Sequence, residues 1–312
     1  AYFRIKQIIR EYNPDIVHTH ASKAGLLGRL AAQKLNIPVI VHTFHGHVFH
    51  SYFGKFKTEF FKNIERYIAK KSSGIIAISK QQKIELGEVH KIAPPKKIQV
   101  IPLGFQLEQF IDARRLSRAT VRAKYDIAKN EVALAIVGRL APIKDHAYFL
   151  EVIERLAGKI NNPLHVFIVG DGSERAAIEK RLMQITSGTI KITMTSWILD
   201  IATFNAGMDI MCLTSKNEGT PVSLIEAQAS GLPVVSTDVG GVRDIVVDGK
   251  SGFVIKRGNI ETYVEKLRLL VENRELREKY GTFGQQFVRQ QFSYQRLVAD
   301  MDRYYKTLIK NE

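Results

Sequence analysis

The chain has one cysteine among its 312 residues, Cys212. A single thiol excludes a disulfide framework and a metal cluster built from several cysteines. Cys212 lies in the apolar run 210–213, a context typical of an inert buried thiol. No apolar run approaches the ~20 residues that a helix needs to cross a bilayer. The composition therefore argues against a disulfide-stapled scaffold and gives no sign of a membrane-spanning helix.

Acidic residues are scarce in the first part of the chain. Residues 1–125 hold 22 lysines and arginines against 8 aspartates and glutamates, whereas the rest of the chain holds 24 and 23. The net charge of +15 therefore comes almost entirely from residues 1–125. This excess is either an ordinary basic surface or a patch for an anionic membrane leaflet or a polyanionic acceptor. No recognised nucleic-acid motif accompanies it, so we expect no nucleic-acid partner.

Short apolar runs alternate with helical patterns along the chain, which predicts parallel sheets. The predicted strands are 15–18, 39–43, 74–78, 98–101, 132–137, 165–169, 190–194, 210–213, 234–236 and 252–255. A polar, basic stretch near 104–130 interrupts the alternation, and we interpret it as a linker. We predict an α/β protein with two doubly wound, Rossmann-like domains whose parallel sheets face a cleft. Their predicted bounds are 1–112 for the first domain, 113–130 for the linker, 131–292 for the second domain and 293–312 for a final helix.

Two glutamates, Glu218 and Glu226, flank a stretch that resembles a helix start. Gly219, Thr220 and Pro221 precede a helical pattern, and proline is tolerated in a first helical turn. The amides of Val222, Ser223 and Leu224 are then unpaired donors at a helix N-terminus, which favours an anion. A phosphate held there would have a carboxylate on each side. A nucleotide sugar has this shape, with a sugar, a diphosphate and a ribose in line.

The sequence around these glutamates closely resembles the donor half of family-4 glycosyltransferases, retaining enzymes of the GT-B fold. The matching segments are 137–140 with Lys144, 169–172, 205–215, 217–242 and 249–253. Segments 18–25 and 43–47 resemble parts of the family's acceptor domain. The resemblance extends over nearly the whole chain. The family's first strand and glycine-rich loop have no counterpart here, so we expect an incomplete first domain with an exposed sheet edge.

Cations follow the first predicted strand of the second domain, where ligands bind in such sheets. Arg139 and Lys144, next to Gly138, can neutralise a diphosphate leaving group, or they are two solvated loop cations. The resemblance implies that they bind the donor diphosphate, that Glu226 binds the ribose and that Glu218 contacts the donor sugar. The structural alternative for Glu218 is a helix-terminal carboxylate stabilised by the helix dipole.

Other candidates are weaker by themselves. Gly170 and Gly172 form a tight turn at a strand end, which the resemblance places beside the nucleotide. Trp197 can stack near the base, although the sequence around it departs from the family pattern. His45 follows a strand and, by resemblance, lies near the donor sugar as a catalytic candidate. His20 and His47 are candidates for the acceptor side, and His20 is equally well a structural histidine.

The sequence therefore predicts a hexosyltransferase-type enzyme that moves a sugar from a nucleotide diphosphate sugar, with UDP favoured, to a glycan or lipid-linked hydroxyl. The alternatives are a sugar-nucleotide epimerase of the same fold and a non-catalytic nucleotide-sugar binding fragment. Although four histidines lie within 42–50, the resemblance implies chemistry without a metal, and we expect no metal and no cofactor. We expect a cytoplasmic protein, peripheral at the inner membrane face. With an incomplete first domain, we expect nucleotide binding but poor turnover, and a first domain that is less stable or pairs as a homodimer.

Overall fold

The computed structural model describes residues 1–45, 55–183, 185 and 188–310, and only the backbone of residues 55–57. The chain forms two compact units. One contains Ala1–Gly104 together with the chain from Tyr294 on, and the other is Phe105–Ser293. Both are α/β units, each with one parallel sheet.

Within the described residues, the first unit holds a four-stranded parallel sheet in the order β1-β2-β3-β4. Its strands are β1 (Ile16–His20), β2 (Val39–Phe44), β3 (Gly74–Ala77) and β4 (Ile98–Val100). Its helices are α1 (Tyr2–Tyr12), α2 (Ser22–Lys34), α3 (Lys55–Lys71) and α4 (Lys80–Ile84), with the last helix of the chain, Tyr294–Lys310. Successive side chains of β2 point to opposite faces of the sheet, and helices cover both faces. Val39 and Val41 pack with the last helix on one face, and Ile40 packs with α1 and α2 on the other. In the described part of the chain, β1 lies at the sheet edge with β2 as its one paired neighbour.

The second unit, as far as it is described, has a six-stranded parallel sheet in the order β10-β9-β8-β5-β6-β7. Its strands are β5 (Val132–Val137), β6 (Leu164–Val169), β7 (Ile190–Thr195), β8 (Ile210–Leu213), β9 (Val234–Thr237) and β10 (Gly252–Ile255). Its helices are α5 (Glu108–Lys124), α6 (His146–Leu156), α7 (Arg175–Leu182), α8 (Ile201–Gly207), α9 (Val222–Ala229), α10 (Val242–Ile245), α11 (Ile260–Glu272) and α12 (Arg274–Phe292), which makes Tyr294–Lys310 α13. Counted from β5, the strand order is 3-2-1-4-5-6, the doubly wound order of dinucleotide-binding sheets. Buried aliphatic side chains fill both faces of this sheet.

Helix α5 occupies most of the predicted linker 113–130. This helix is rich in arginine, and its buried residues are Phe110 and Val121. Arg114 and Arg118 donate hydrogen bonds to the carbonyls of Ala206 and Met208, at the end of α8. A segment that looks like polar linker in sequence is therefore packed, because its cations cap a helix almost a hundred residues away.

The basic excess of residues 1–125 is divided between the two units. Lys124 and arginines 114, 115, 118 and 122 belong to α5 in the second unit, and the remaining lysines and arginines belong to the first unit. In the first unit, α3 exposes Phe60, Phe61 and Tyr67, while the side chain of Phe56 lies outside the described residues. The search of the described residues found no helix with the length and apolarity that a membrane span requires.

Candidate active site

The segments predicted to bind the donor all follow carboxyl ends of strands in the second sheet. The sheet reverses its strand order between β5 and β8, and ligands bind outside such a switch point in open α/β sheets. The loop after β5 carries Gly138, Arg139 and Lys144, and the loop after β8 leads through Glu218 to α9. The fold therefore brings these two segments to the position where a crevice is expected.

Lys144 and Glu218 form the central ion pair of this edge. Lys144 Nζ lies 2.6 Å from Glu218 Oε1, and the side chains are 25% and 10% exposed. The hydroxyl of Ser215 donates to the same oxygen at 2.5 Å. Ser215 is itself fully buried, and its carbonyl accepts a hydrogen bond from Thr237. Two donors, Lys144 and the buried Ser215, therefore hold the carboxylate of Glu218. The spacing of these residues in the sequence did not predict this pairing.

Helix α9 presents its amino end to the same edge. Pro221 precedes the first helical residue, Val222, and no side chain of the described residues caps the helix. The prediction of three free amides is wrong for Leu224, whose amide donates to the carbonyl of Pro221 at 3.1 Å. The amides of Val222 and Ser223 have no partner among the described residues. Two donors therefore remain for an anion.

Glu226 lies one turn further along α9 and is partly buried. Its carboxyl has no hydrogen-bond or ion-pair partner among the described residues. Burial raises the pKa of Glu226 to about 7. A carboxyl that is removed from water without a partner is costly, and such groups concentrate at functional sites.

The glycines after β6 allow two loops to approach closely. Gly170 has φ 142° and Gly172 has φ 156°. A Cβ on Gly170 would lie 2.0 Å from the carbonyl oxygen of Gly138, and one on Gly172 would lie 2.3 Å from that of Leu140. This turn therefore does more than reverse the chain: only glycine lets it pack on the backbone of the loop that carries Arg139.

A second glycine pair, Gly240 and Gly241, supports the Glu218 loop in the same way. A Cβ on Gly240 would lie 1.7 Å from the carbonyl oxygen of Glu218, and one on Gly241 would lie 2.0 Å from that of Gly219. The amide of Gly241 also donates to the carbonyl of Glu218 at 3.1 Å. Sequence reasoning assigned this pair no role, although adjacent glycines directly after a strand were the available signal.

The Gly240→Ala variant should lose nucleotide binding, because its methyl group displaces the backbone of Glu218. Gly249→Ala is the matched control, since Gly249 has φ 71°, close to the φ of 51° at Gly240, and no atom within 4 Å of its Cβ position. We expect Gly249→Ala to cost about 1 kcal/mol of backbone strain and to bind normally. Calorimetric titration with UDP measures the loss of nucleotide binding, and thermal melting measures the loss of stability. Equal UDP affinity in both variants would contradict the proposed support.

Two exposed side chains flank the edge. Arg139 is exposed and has no side-chain partner among the described residues. Trp197, in the loop after β7, is 55% exposed, and Leu199 nearby is fully exposed. Ser196 donates to Asp171, whose other carboxylate oxygen accepts from the amide of Gly172. The Trp197 loop is thus tied to the glycine turn.

In the first unit, histidines gather at the carboxyl ends of β1 and β2. His20 Nδ1 lies 2.9 Å from His45 Nε2, and their rings stack at 5.1 Å. His18 contacts Tyr305 and Thr43. Ala21, directly after His20, has φ 60° and ψ 159°, a conformation that few residues other than glycine adopt. His47 lies outside the described residues.

Burial favours the neutral form of these histidines. Burial, and then the neighbouring His20 and His45, lower the pKa of His18 to about 4. Burial also lowers the pKa of His20 and of His45. Within the described residues, no group of three or more histidine, cysteine, aspartate or glutamate side chains is arranged to hold a metal ion.

The fold and these sites together define a class of protein. Two α/β units with parallel sheets, the second with helix amides that have no described partner at its switch point, are the architecture of the GT-B fold, and solved structures agree. The chain superposes on the UDP complex of the Anabaena protein HepE with a TM-score of 0.83 at 19% identity, covering 98% of this chain and 82% of that one. It matches a glycosyltransferase from Rickettsia africae with a TM-score of 0.82 at 25% identity, covering 100% and 81%.

The sequence comparisons then give the family. Residues 117–287 match the model for glycosyl transferases group 1, and residues 1–109 match that for glycosyltransferase family 4. The Escherichia coli enzyme UDP-Gal:alpha-D-GlcNAc-diphosphoundecaprenol alpha-1,3-galactosyltransferase is 30% identical over 86% of this chain and 70% of that enzyme. The capsular polysaccharide glycosyltransferase CapM of Staphylococcus aureus is 26% identical over 97% and 79%. The chain therefore belongs to the group 1 glycosyltransferases, and both the GT-B fold and the family predicted from sequence are confirmed.

Proposed function

We propose that the chain is a retaining hexosyltransferase that takes its sugar from a UDP-sugar and uses no metal. The observation that carries this proposal is the convergence at one switch point of the Lys144–Glu218 pair, two unpartnered helix amides and the unpartnered carboxyl of Glu226. A cationic group, amide donors and a hydroxyl-binding carboxyl are what a diphosphate linked to a ribose requires.

The charges suit a diphosphate that leaves during the reaction. The amides of Val222 and Ser223 and the side chains of Arg139 and Lys144 stabilise negative charge as it develops on the departing phosphate. Because the two amides are fixed in the backbone of α9, they need little reorganisation at the moment of bond cleavage. Glu226 accepts hydrogen bonds from the ribose hydroxyls, and Glu218 orients hydroxyls of the sugar.

In the proposed reaction, the acceptor hydroxyl attacks the anomeric carbon on the face from which the diphosphate leaves. The bond between this carbon and the phosphate oxygen breaks as the new glycosidic bond forms. The acceptor proton passes to an oxygen of the departing diphosphate. Since the proton goes to the leaving group, this mechanism requires neither a protein nucleophile nor a separate base. His45 is the proposed contact of the donor sugar from the first unit, and His20 and His47 are proposed for the acceptor side.

The names of the relatives favour UDP and a lipid-linked acceptor. The Escherichia coli relative uses UDP-galactose and a diphosphoundecaprenol-linked sugar, and the HepE structure contains UDP. We therefore propose UDP as the nucleotide, a glycan or lipid-linked acceptor, and polysaccharide or lipid-linked glycan assembly as the role.

Incubation of the protein with UDP-sugars in the presence of a chelator tests this function. With an acceptor present, slow formation of a new glycoside of unchanged anomeric configuration is expected. Conversion of the sugar to an epimer without an acceptor would identify an epimerase instead. Saturable UDP binding with neither product would leave a nucleotide-sugar binding protein, and UDP binding that requires a divalent metal would overturn the metal-free proposal.

We also propose that the first unit works at the inner face of an anionic membrane. Its basic excess and the exposed Phe60, Phe61 and Tyr67 of α3 support this location. Sedimentation should be stronger with anionic than with neutral vesicles, and salt should reduce the difference. Equal sedimentation with both vesicle types at low salt would exclude the proposal.

The raised pKa of Glu226 predicts a pH dependence of nucleotide binding. Hydroxyls donate best to the ionised carboxylate, so binding should deprotonate Glu226, and the UDP affinity should fall as the pH drops from about 8 to about 6. UDP also titrates in this range. The quantity to compare is therefore the slope of UDP affinity against pH in the unmodified protein and in Glu226→Gln, which preserves the shape of the side chain. Parallel slopes would show that Glu226 does not titrate with binding.

A further inference from the structure

The second unit has a strongly basic cleft at the edge of its sheet opposite the candidate active site. It is lined where strands begin, by Val132 at the start of β5, Asp209 directly before β8 and Pro233 directly before β9. The candidate active site follows the carboxyl ends of the same strands. The cleft therefore lies apart from every residue assigned to the donor.

We define the arginine cleft by its cations and its volume. Its volume is about 780 Å³. Three carboxylates, Glu131, Asp209 and Glu278, also line it. The seven cations of the lining are Arg114, Arg115, Arg118, Arg122, Lys129, Arg274 and Arg277. Positive charge is therefore in clear excess at one open surface.

Capping of helix ends accounts for part of this cluster. Arg114, Arg118 and Arg122 repeat at a spacing of four on α5 and donate to carbonyls at the end of α8. Asp209 pairs with Arg118 at 2.6 Å and with Arg122 at 3.0 Å. These contacts explain why arginines line the floor. Of the other cations, Arg277 donates to carbonyls at the end of α11, Arg274 pairs with Glu278 and Arg115 pairs with Asp112. Lys129 has no partner among the described residues.

Several donors of the cleft remain available. Arg114 uses one nitrogen, Nη1, for the carbonyls of Ala206 and Met208, and Arg277 uses Nη1 for those of Leu270 and Val271. The other guanidinium nitrogens of these two residues have no partner among the described residues and are not sealed from solvent. Lys129 is exposed and has no partner among the described residues.

The cations also repel one another. Burial, and next the nearby Arg118, lower the pKa of Arg114 to about 10. Burial lowers the pKa of Arg277; Asp209 opposes this decrease, and Arg274 and Arg118 add to it. A guanidinium stays protonated at neutral pH all the same, so a bound multivalent anion would relieve this repulsion.

We propose that the arginine cleft binds a ligand with two or more phosphate groups, at a site separate from the donor site. Guanidinium groups bind phosphate oxygens in pairs, and outward-facing donors from α5, α12 and the segment at Lys129 can share one ligand of this kind. A free polyphosphate-type anion and a phosphate-bearing lipid headgroup present the same chemistry. The test therefore uses both.

The soluble test titrates inorganic tripolyphosphate into Arg139→Ala/Lys144→Ala protein, in which the donor cations are absent. Saturable binding is expected, with an affinity lowered by at least about tenfold when Lys129→Glu and Arg274→Glu are added. Both positions are exposed, and the one described partner of Arg274 is Glu278, so these changes should leave the melting temperature nearly unchanged. The matched control is Lys180→Glu/Lys250→Glu, which changes the same charge on exposed residues outside the cleft.

The lipid test measures sedimentation of the same variants with phosphatidylcholine vesicles that carry cardiolipin, whose headgroup holds two phosphate groups. The proposal is supported if the cleft variant loses binding of either probe and the control variant keeps it. The probe that shows this loss identifies the source of the phosphate. An equal loss in cleft and control variants would show attraction by net charge alone and overturn it. Absence of saturable binding to both probes would also overturn it.

Discussion

UDP release from a UDP-sugar is expected to slow by about 10- to 100-fold in Glu218→Gln, while UDP itself binds at least as tightly as before. A charged hydrogen bond to a sugar hydroxyl is worth about 1.5–3 kcal/mol, and in this case it acts on the reacting sugar. UDP lacks the transferred sugar, which is the group that Glu218 is proposed to contact. Moreover, Lys144 is released from its ion pair at 2.6 Å and becomes free for the diphosphate.

Calorimetric titration with UDP and a UDP-release assay give the two quantities. Ser215→Ala serves as a graded companion, because it removes one of the two donors that hold Glu218 and keeps the carboxylate. A smaller loss of rate is expected there. Normal turnover in Glu218→Gln would rule out our role for this residue, and a rate loss that is matched by lost UDP affinity would place Glu218 on the nucleotide instead.

Arg139→Ala and Lys144→Ala are each expected to weaken UDP binding by about 1–3 kcal/mol, but with different effects on stability. Arg139 is exposed and unpaired in the described structure, so its removal should leave the melting temperature unchanged. Removal of Lys144 leaves the carboxylate of Glu218, whose side chain is only 10% exposed, without its cation. An unpaired, largely buried charge destabilises the fold.

A double variant separates these two effects of Lys144. Adding Glu218→Gln to Lys144→Ala removes the unpaired charge and should restore the melting temperature, but not the UDP affinity. Lys180→Ala, an exposed cation in the same unit without a partner in the described structure, is the control for net charge. Unchanged UDP affinity in both Arg139→Ala and Lys144→Ala would remove the basis of the donor-site assignment.

Most of the strands were predictable because they are buried on both faces; β1, β4 and β7 are more exposed. The predicted 132–137, 210–213 and 252–255 agree with β5, β8 and β10, and the other strands differ by one or two residues at their ends. A parallel sheet covered by helices gives continuous apolar runs, which sequence patterns detect well. Helix α5 was missed because most of its surface is charged and its arginines are satisfied by distant carbonyls.

The sequence also indicated where the donor site lies, since a glutamate, a glycine and a proline before a helix are local signals. Such local signals do not show which backbone amides already donate hydrogen bonds within the folded chain. The amide of Leu224 was expected to be free, yet it closes a tight first turn on Pro221. The domain boundary near 112 likewise differs from the division at Gly104, because α5 packs against α8.

The sequence by itself determined the α/β class, the family and the segments that carry Arg139, Glu218 and Glu226, because burial patterns and turn residues are local properties of the chain. Only the tertiary structure decided which groups are paired. It joined Lys144 to Glu218 across 74 positions, left Glu226 without a partner and set Gly240 against the backbone of Glu218. It also gathered arginines from α5 and α12 around Asp209 at the other edge of the sheet. Pairing depends on distances between residues far apart in the chain, and those distances are fixed only when the strands take their places in the sheet.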